Sequence, residues 1–249
     1  MNPTDFDLNI DEFNKSNPNY FLKKINGELK AVENTDKKIE IERKGLIKKL
    51  ERSGIPLRYQ LMDLKDLKVD KGILEQANLY VNNFKPKSFY NIYLEGKQTV
   101  GKTSIACCMA KELVYKGFSC QFYYAGELSN ILRDYHSYGK LSEEAKVKLD
   151  NLMKKDFLVL DDMFDINKDI VYKSTNLAGQ WDVFLRKVLD SGMNMIVTSN
   201  TLLKNINEEY GKSIQELMDR NFHLKVNFKE SIKDAIITKG KNNLINQMQ

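Results

Sequence analysis

Apolar positions in this 249-residue chain fall into two rhythms. Short, nearly unbroken apolar runs alternate with longer stretches in which apolar residues recur three or four apart. Phe89 to Leu94, Phe118 to Tyr124, Phe157 to Leu160, Met193 to Thr198 and Phe222 to Phe228 are of the first kind, and each predicts a strand. Residues 104–114, 127–135, 142–155, 177–190 and 202–220 are of the second, the last broken at Gly211. In 177–190, Trp181, Phe184, Leu185, Val188 and Leu189 share one helical face. Strands taking turns with helices predict an α/β fold: a five-stranded parallel sheet covered by helices on both faces, in three layers. Pro86 is the last proline, so nothing beyond it interrupts a helix or a central strand. No repeat of 20–50 residues is visible.

Upstream, Ile73, Leu74, Ala77, Leu79, Tyr80, Val81 and Phe84 predict a helix over 72–84. Residues 37–52 predict another, with Ile39, Ile41, Leu46, Ile47 and Leu50 set against Lys37, Lys38, Arg43, Lys44, Lys48, Lys49 and Arg52. Ser53-Gly54-Ile55-Pro56 ends it. Its basic face suits solvent, nucleic acid or a partner. Residues 1 to about 36 are polar, with Phe6, Phe13, Tyr20 and Phe21 scattered through them. They read as a loosely ordered tail or as a docking segment anchored by those aromatics. The chain thus divides into an N-terminal extension, 1–52, with a short helix and a candidate partner-docking role, and a core, 53–249.

Composition sets limits on this picture. Lys and Arg outnumber Asp and Glu 39 to 34, a net charge of +5, which permits nucleic-acid contact without requiring it. No apolar run approaches the ~20 residues that span a bilayer, and Met1 to Asp7 lacks the apolar core of a secretory signal. A cytoplasmic protein that does not enter a membrane is expected. Cys107, Cys108 and Cys120 have no C-x-x-C spacing. They predict buried packing residues in a reducing compartment, with neither disulfide nor zinc site.

The chemistry begins at Gly96-Lys97-Gln98-Thr99-Val100-Gly101-Lys102-Thr103, which matches G-x-x-x-x-G-K-[ST] between a predicted strand and a predicted helix. Gly96 and Gly101 allow the tight turn and close approach of backbone N–H groups, through Ser104, to phosphate oxygens. The helix N-terminus adds its dipole. Lys102 would reach the β- and γ-phosphates of a nucleoside triphosphate, and the Thr103 hydroxyl would ligate Mg2+. Ligands of open parallel sheets bind where the strands end. The third predicted strand ends in Asp161-Asp162. Asp161 would orient the metal, through water, and Asp162 would polarise the attacking water, its side chain shorter than the Glu many hydrolases use there. The fourth ends in Asn200, an amide able to bond the γ-phosphate or the water. Arg220 closes a predicted helix. It reads either as a cation complementing the helix dipole or as an arginine reaching a phosphate in a neighbouring subunit.

The order of these segments resembles the AAA+ ATPases, and more closely the DnaC/DnaI-type replicative helicase loaders. The likeness spans about residues 53–228. It is carried by Ser53-Gly54-Ile55-Pro56-Leu57-Arg58-Tyr59, by Phe122 to Leu128, by Leu160-Asp161-Asp162 (Walker B), by Ile196 to Asn200 (sensor 1), and by Tyr210-Gly211-Lys212 through Asp219-Arg220 (box VII). It implies the AAA+ strand order with the phosphate-loop strand in the centre, an arginine-finger role for Arg220, and ATP with Mg2+ as ligands. The implied activity is ATP-dependent delivery of a hexameric replicative DNA helicase to single-stranded DNA. Turnover would be slow or partner-regulated, timing a handover. Residues 1–50 would engage the helicase, Lys140, Tyr135 and Tyr138 would meet single-stranded DNA, and self-association would run through Arg220 in trans. The chain departs from the family pattern in three ways. A zinc module ahead of the core is absent, an arginine at the sensor 2 position is replaced by only Lys229 and Lys233, and the 21 residues after Phe228 are too few for a helical lid. An IstB-type transposition helper, binding duplex DNA with a transposase, shares the same core. A small-molecule kinase would need several lid arginines, and 200–249 holds only Arg220.

Overall fold

A computed structural model describes residues 20–25, 28–33, 35–164 and 177–228. The chain separates into two compact units, Met1–Lys49 and Leu50–Gln249.

In the first unit, β1 (Tyr20–Ile25) and β2 (Glu28–Glu33) form an antiparallel hairpin in which Tyr20 faces Glu33 and Ile25 faces Glu28. For Tyr20–Ile25 and Glu28–Glu33 the strands replace the loosely ordered tail, one of the two readings the sequence allows there. Phe6, Phe13 and the remainder of residues 1–19 lie outside the described residues. Helix α1 (Thr35–Ser53) follows and crosses into the second unit. There Ser53 ends it, its hydroxyl donating to the Leu50 carbonyl at 2.6 Å and accepting the Ile55 N–H at 3.2 Å.

The second unit holds a five-stranded sheet made of β3 (Ile92–Gly96), β4 (Cys120–Tyr124), β5 (Phe157–Asp161), β6 (Asn194–Ser199) and β7 (Leu224–Phe228). All neighbouring pairs are parallel, in the order β4-β5-β6-β3-β7. The expected parallel α/β architecture is present. The phosphate-loop strand β3 is interior, flanked by β6 and β7, but β6 holds the middle position. Strand residues alternate between two cores. Ile92, Leu94, Phe157, Val159 and Ile196 face one layer, formed by α2 (Leu57–Gln60), α3 (Lys71–Asn83) and α4 (Lys102–Tyr115). Tyr93, Leu158, Leu160, Met195 and Val197 face the other. That layer is built by α5 (Ala125–Tyr135), α6 (Lys140–Leu152), α7 (Leu177–Asp190), α8 (Ile206–Tyr210) and α9 (Lys212–Asn221). The near-continuous apolar strands are those of a sheet buried on both faces. Cys107, Cys108 and Cys120 are buried and unbridged, and burial pushes the Cys108 thiol up to about 12. Among the described residues no helix is long and apolar enough to cross a membrane. Residues 229–249, with Lys229 and Lys233 and the expectation of a lidless end, lie outside the described residues.

Candidate functional site

The parallel register carries β3, β5 and β6 to the same edge of the sheet, so the loop after β3 meets the ends of the other two. The loop turns on two glycines. Gly96 has φ 148°, and a Cβ there would lie 2.6 Å from the Phe228 carbonyl oxygen of β7. Gly101, at φ 96°, caps α4, and its carbonyl accepts the Ile105 N–H at 3.0 Å. Thr99 also takes a left-handed backbone, φ 64°. Lys97, Gln98 and Thr99 are exposed at the loop's crest, while Val100 tucks into the core and Ser104 is buried in α4.

Lys102, 5% exposed, draws its ammonium into the loop. It donates to the Gly96 carbonyl at 2.9 Å, the Lys97 carbonyl at 2.7 Å and the Asn200 Oδ1 at 2.9 Å. The loop lysine and the amide just beyond β6 are thus in direct contact. Asp161 closes β5 and is 1% exposed. Burial pushes its carboxyl above the ordinary range; the Thr198 hydroxyl bond opposes this, the Asp162 charge adds to it, and the Thr103 hydroxyl bond and the Lys102 charge oppose it further. Thr103 and Asp161 are therefore neighbours. Asp162 follows with φ 56°, and its N–H donates to Thr198 Oγ1 at 3.0 Å. A hydroxyl and a carboxylate side by side next to a phosphate loop are hard oxygen donors, and they fit Mg2+, which takes few protein ligands and completes its shell with phosphate oxygens and water.

The lead-in segment before β3 packs beside this group. The Arg58 guanidinium lies 4.6 Å from the Tyr59 ring centroid. Burial drives the Tyr59 phenol up to about 12; Arg58 opposes the rise, while Cys107, Asp161 and Tyr124 add to it. The segment is held to α4 by Lys111, whose buried ammonium reaches Asp63 Oδ1 at 2.7 Å and the carbonyls of Gln60 and Met62.

Arg220 is elsewhere. Its side chain is 78% exposed at the end of α9, 3.9 Å from Glu216. The next residue, Asn221, accepts a bond from Asn91 Nδ2 at 3.0 Å, just before β3 starts. Arg220 thus belongs to the edge where strands begin, and the loop to the edge where they end. The five residues of β3 put ~16 Å between those edges. The structure gathers Gly96 through Ser104, Asp161, Asp162 and Asn200, and leaves Arg220 out of the chain's own site. Thr198 and Lys111 had no assigned role in the sequence reading.

Fold and loop together define a P-loop nucleotide-binding protein. A sequence model of the IstB-like ATP binding protein family matches residues 75–228, well over half the chain, and the chain belongs to that family. Among curated proteins none matches it in sequence. Solved structures share the fold. DnaI is 20% identical with a TM-score of 0.57, covering 71% of this chain and 93% of its own. A DnaC helicase loader is 19% identical with a TM-score of 0.58, covering 70% of this chain and all of its own. The replication initiator DnaA bound to AMPPCP and single-stranded DNA is 13% identical with a TM-score of 0.56, covering 78% of this chain and 57% of its own.

Proposed function

We propose that the chain is an ATP hydrolase that binds a replicative DNA helicase and helps deliver it to single-stranded DNA, with ATP hydrolysis timing the release. The observation that carries the ATPase reading is the direct bond between Lys102 and Asn200, with Asp161 and Thr103 as neighbours beside it. Loop, acid and amide meet around one volume, as γ-phosphate recognition requires. Lys102 would bind the β- and γ-phosphates, exchanging the Gly96 and Lys97 carbonyls for phosphate oxygens. Thr103 and Asp161 would hold Mg2+, which when bound neutralises phosphate charge. Asp162 would orient the attacking water, and Asn200 would register the γ-phosphate. Arg220 of a second copy would complete the site.

The loader reading draws on the fold shared with DnaI and the DnaC helicase loader. The tip between α5 and α6 supports a single-stranded DNA contact. Tyr138 there is 97% exposed, Tyr135 is exposed, and the exposed Lys140 lies 3.6 Å from Glu144. Aromatics beside cations suit stacking on unpaired bases. A second reading, the IstB-type transposition helper, is favoured by the family match itself. Co-purification of the full chain with a replicative helicase, with and without ATP, supports the loader; duplex DNA binding without helicase capture supports the helper. For the ATPase, Lys102→Ala should abolish nucleotide binding. Arg220→Ala should bind ATP within about twofold of wild type yet hydrolyse it about 10³-fold more slowly. Unchanged turnover in Arg220→Ala would remove the finger assignment.

A further inference from the structure

The fully buried residue with the most bonds to the acidic turn, and no part in the reading above, is Thr198 in β6. Its one hydroxyl is used twice. It donates to Asp161 Oδ1 at 2.5 Å and accepts the Asp162 N–H at 3.0 Å. Its carbonyl accepts the Met163 N–H at 2.9 Å. One residue of the middle strand thus grips three consecutive residues at the end of the neighbouring strand.

That grip answers a local need. Asp162 sits at φ 56° and Phe164 at φ 57°, left-handed conformations that cost a residue with a side chain about 1–2 kcal/mol each. A turn with two such residues persists only where its surroundings hold it. Thr198 supplies the hold at Asp162. Thr201 supplies it at Phe164, its hydroxyl donating to the Phe164 carbonyl, while its own carbonyl is tied to β3 by the Tyr93 hydroxyl at 2.9 Å. The two threonines stand on either side of Asn200, whose amide oxygen accepts from Lys102. The end of β6 therefore touches the phosphate loop with one side chain and the acidic turn with two others.

We infer that Thr198 is the positioning residue of this site: its hydroxyl fixes the Asp161 carboxylate in the orientation that meets Thr103 and pins the Asp162 backbone in its turn. The inference rests on the ATP reading given above. It makes the Thr198 hydroxyl, and not the bulk of the side chain, the quantity that matters. Valine keeps the shape and loses both bonds; serine keeps both bonds and loses a methyl group. Residues that orient metal ligands typically change affinity or activity 10- to 100-fold when removed.

The test uses the full-length protein with Thr198→Val and Thr198→Ser. ADP and ATP affinities are measured by titration with and without Mg2+, alongside steady-state turnover and thermal melting. Without Mg2+, all three proteins should bind ADP alike, because the loop does not use Thr198. With Mg2+, wild type and Thr198→Ser should tighten together, while Thr198→Val should lose about 10- to 100-fold of that gain and a comparable factor in kcat. A Thr198→Val protein that keeps the full Mg2+ gain overturns the inference, as does a Thr198→Ser protein as impaired as Thr198→Val. If Thr198→Val does not fold, Thr198→Ala takes its place with the same expected outcomes. A wild-type protein that binds no nucleotide in either condition overturns the ATP reading itself, a result distinct from nucleotide binding whose Mg2+ gain ignores Thr198.

Discussion

Side chains at the candidate site already satisfy one another. The buried Lys102 ammonium meets two loop carbonyls and the Asn200 amide, as a buried charge must. An incoming phosphate would therefore compete with these protein acceptors for the lysine. Gly96 is where this arrangement tolerates least. An added methyl group would meet the Phe228 carbonyl oxygen at 2.6 Å, at a backbone angle side chains avoid. It would part β3 from β7 at the register pair Gly96 and Phe228. Gly96→Ala is expected to destabilise the protein by about 2 kcal/mol, lowering Tm by about 4–8 °C for a unit of this size, read by calorimetry; an unchanged Tm would remove the close-approach argument. The loop was legible because its residues are contiguous and each has one chemical duty. Thr198 was not, because its duty depends on the register of two strands that bring residues 37 positions apart together, and an apolar run carries no sign of which hydroxyl within it will find a carboxylate.

At the scale of elements, α4 is the piece around which the second unit closes. Eleven of its first thirteen residues, Lys102 through Val114, are buried, all but Thr103 and Glu112, and the buried set includes Lys111. Lys111 fastens the segment carrying Arg58 and Tyr59 to this helix through Asp63. The Lys111 bond is the largest influence holding the Asp63 carboxyl below its usual range. A carboxyl with a depressed folded pKa contributes stability above its unfolded pKa of about 3.9 and loses it as pH falls below that value. The Asp63 side chain is 48% exposed, so solvent screening limits the contribution to about 1 kcal/mol. Asp63→Asn should therefore melt below wild type at pH 7, and the gap should close as the pH is lowered through about 4 toward 3; a gap independent of pH would show that packing, not charge, holds the segment. The element order was legible from apolar rhythm, and Leu177–Asp190 has the bounds the pattern predicts. The hairpin Tyr20–Glu33 was not, because Lys23, Lys24 and Lys30 interrupt its alternation and a two-stranded ribbon buries too little to need a long apolar face.

For the whole molecule, the decisive geometry is that one chain carries the two halves of the proposed reaction centre at opposite edges of its sheet. The loop, Asp161 and Asn200 sit where strands end; Arg220 sits where β3 and β7 begin, exposed and beside Glu216. If Arg220 acts on ATP, it acts on that of another copy, and the contact is head-to-tail, since a donor edge of one chain meets an acceptor edge of the next. Such an arrangement can be rebuilt from two defective chains. Lys102→Ala lacks a working loop but keeps Arg220; Arg220→Ala keeps the loop but lacks the arginine. Each alone should be inactive. Mixed one to one under conditions where the wild type turns over ATP, the first supplies the arginine to the second, and random assembly leaves about a quarter of interfaces with both parts intact. Turnover should recover to about that fraction of wild type and rise with total protein concentration, because it depends on association. A mixture as inactive as its components would mean that Arg220 does not reach a neighbour's nucleotide, and its pairing with Glu216 at the end of α9 would then be its whole role.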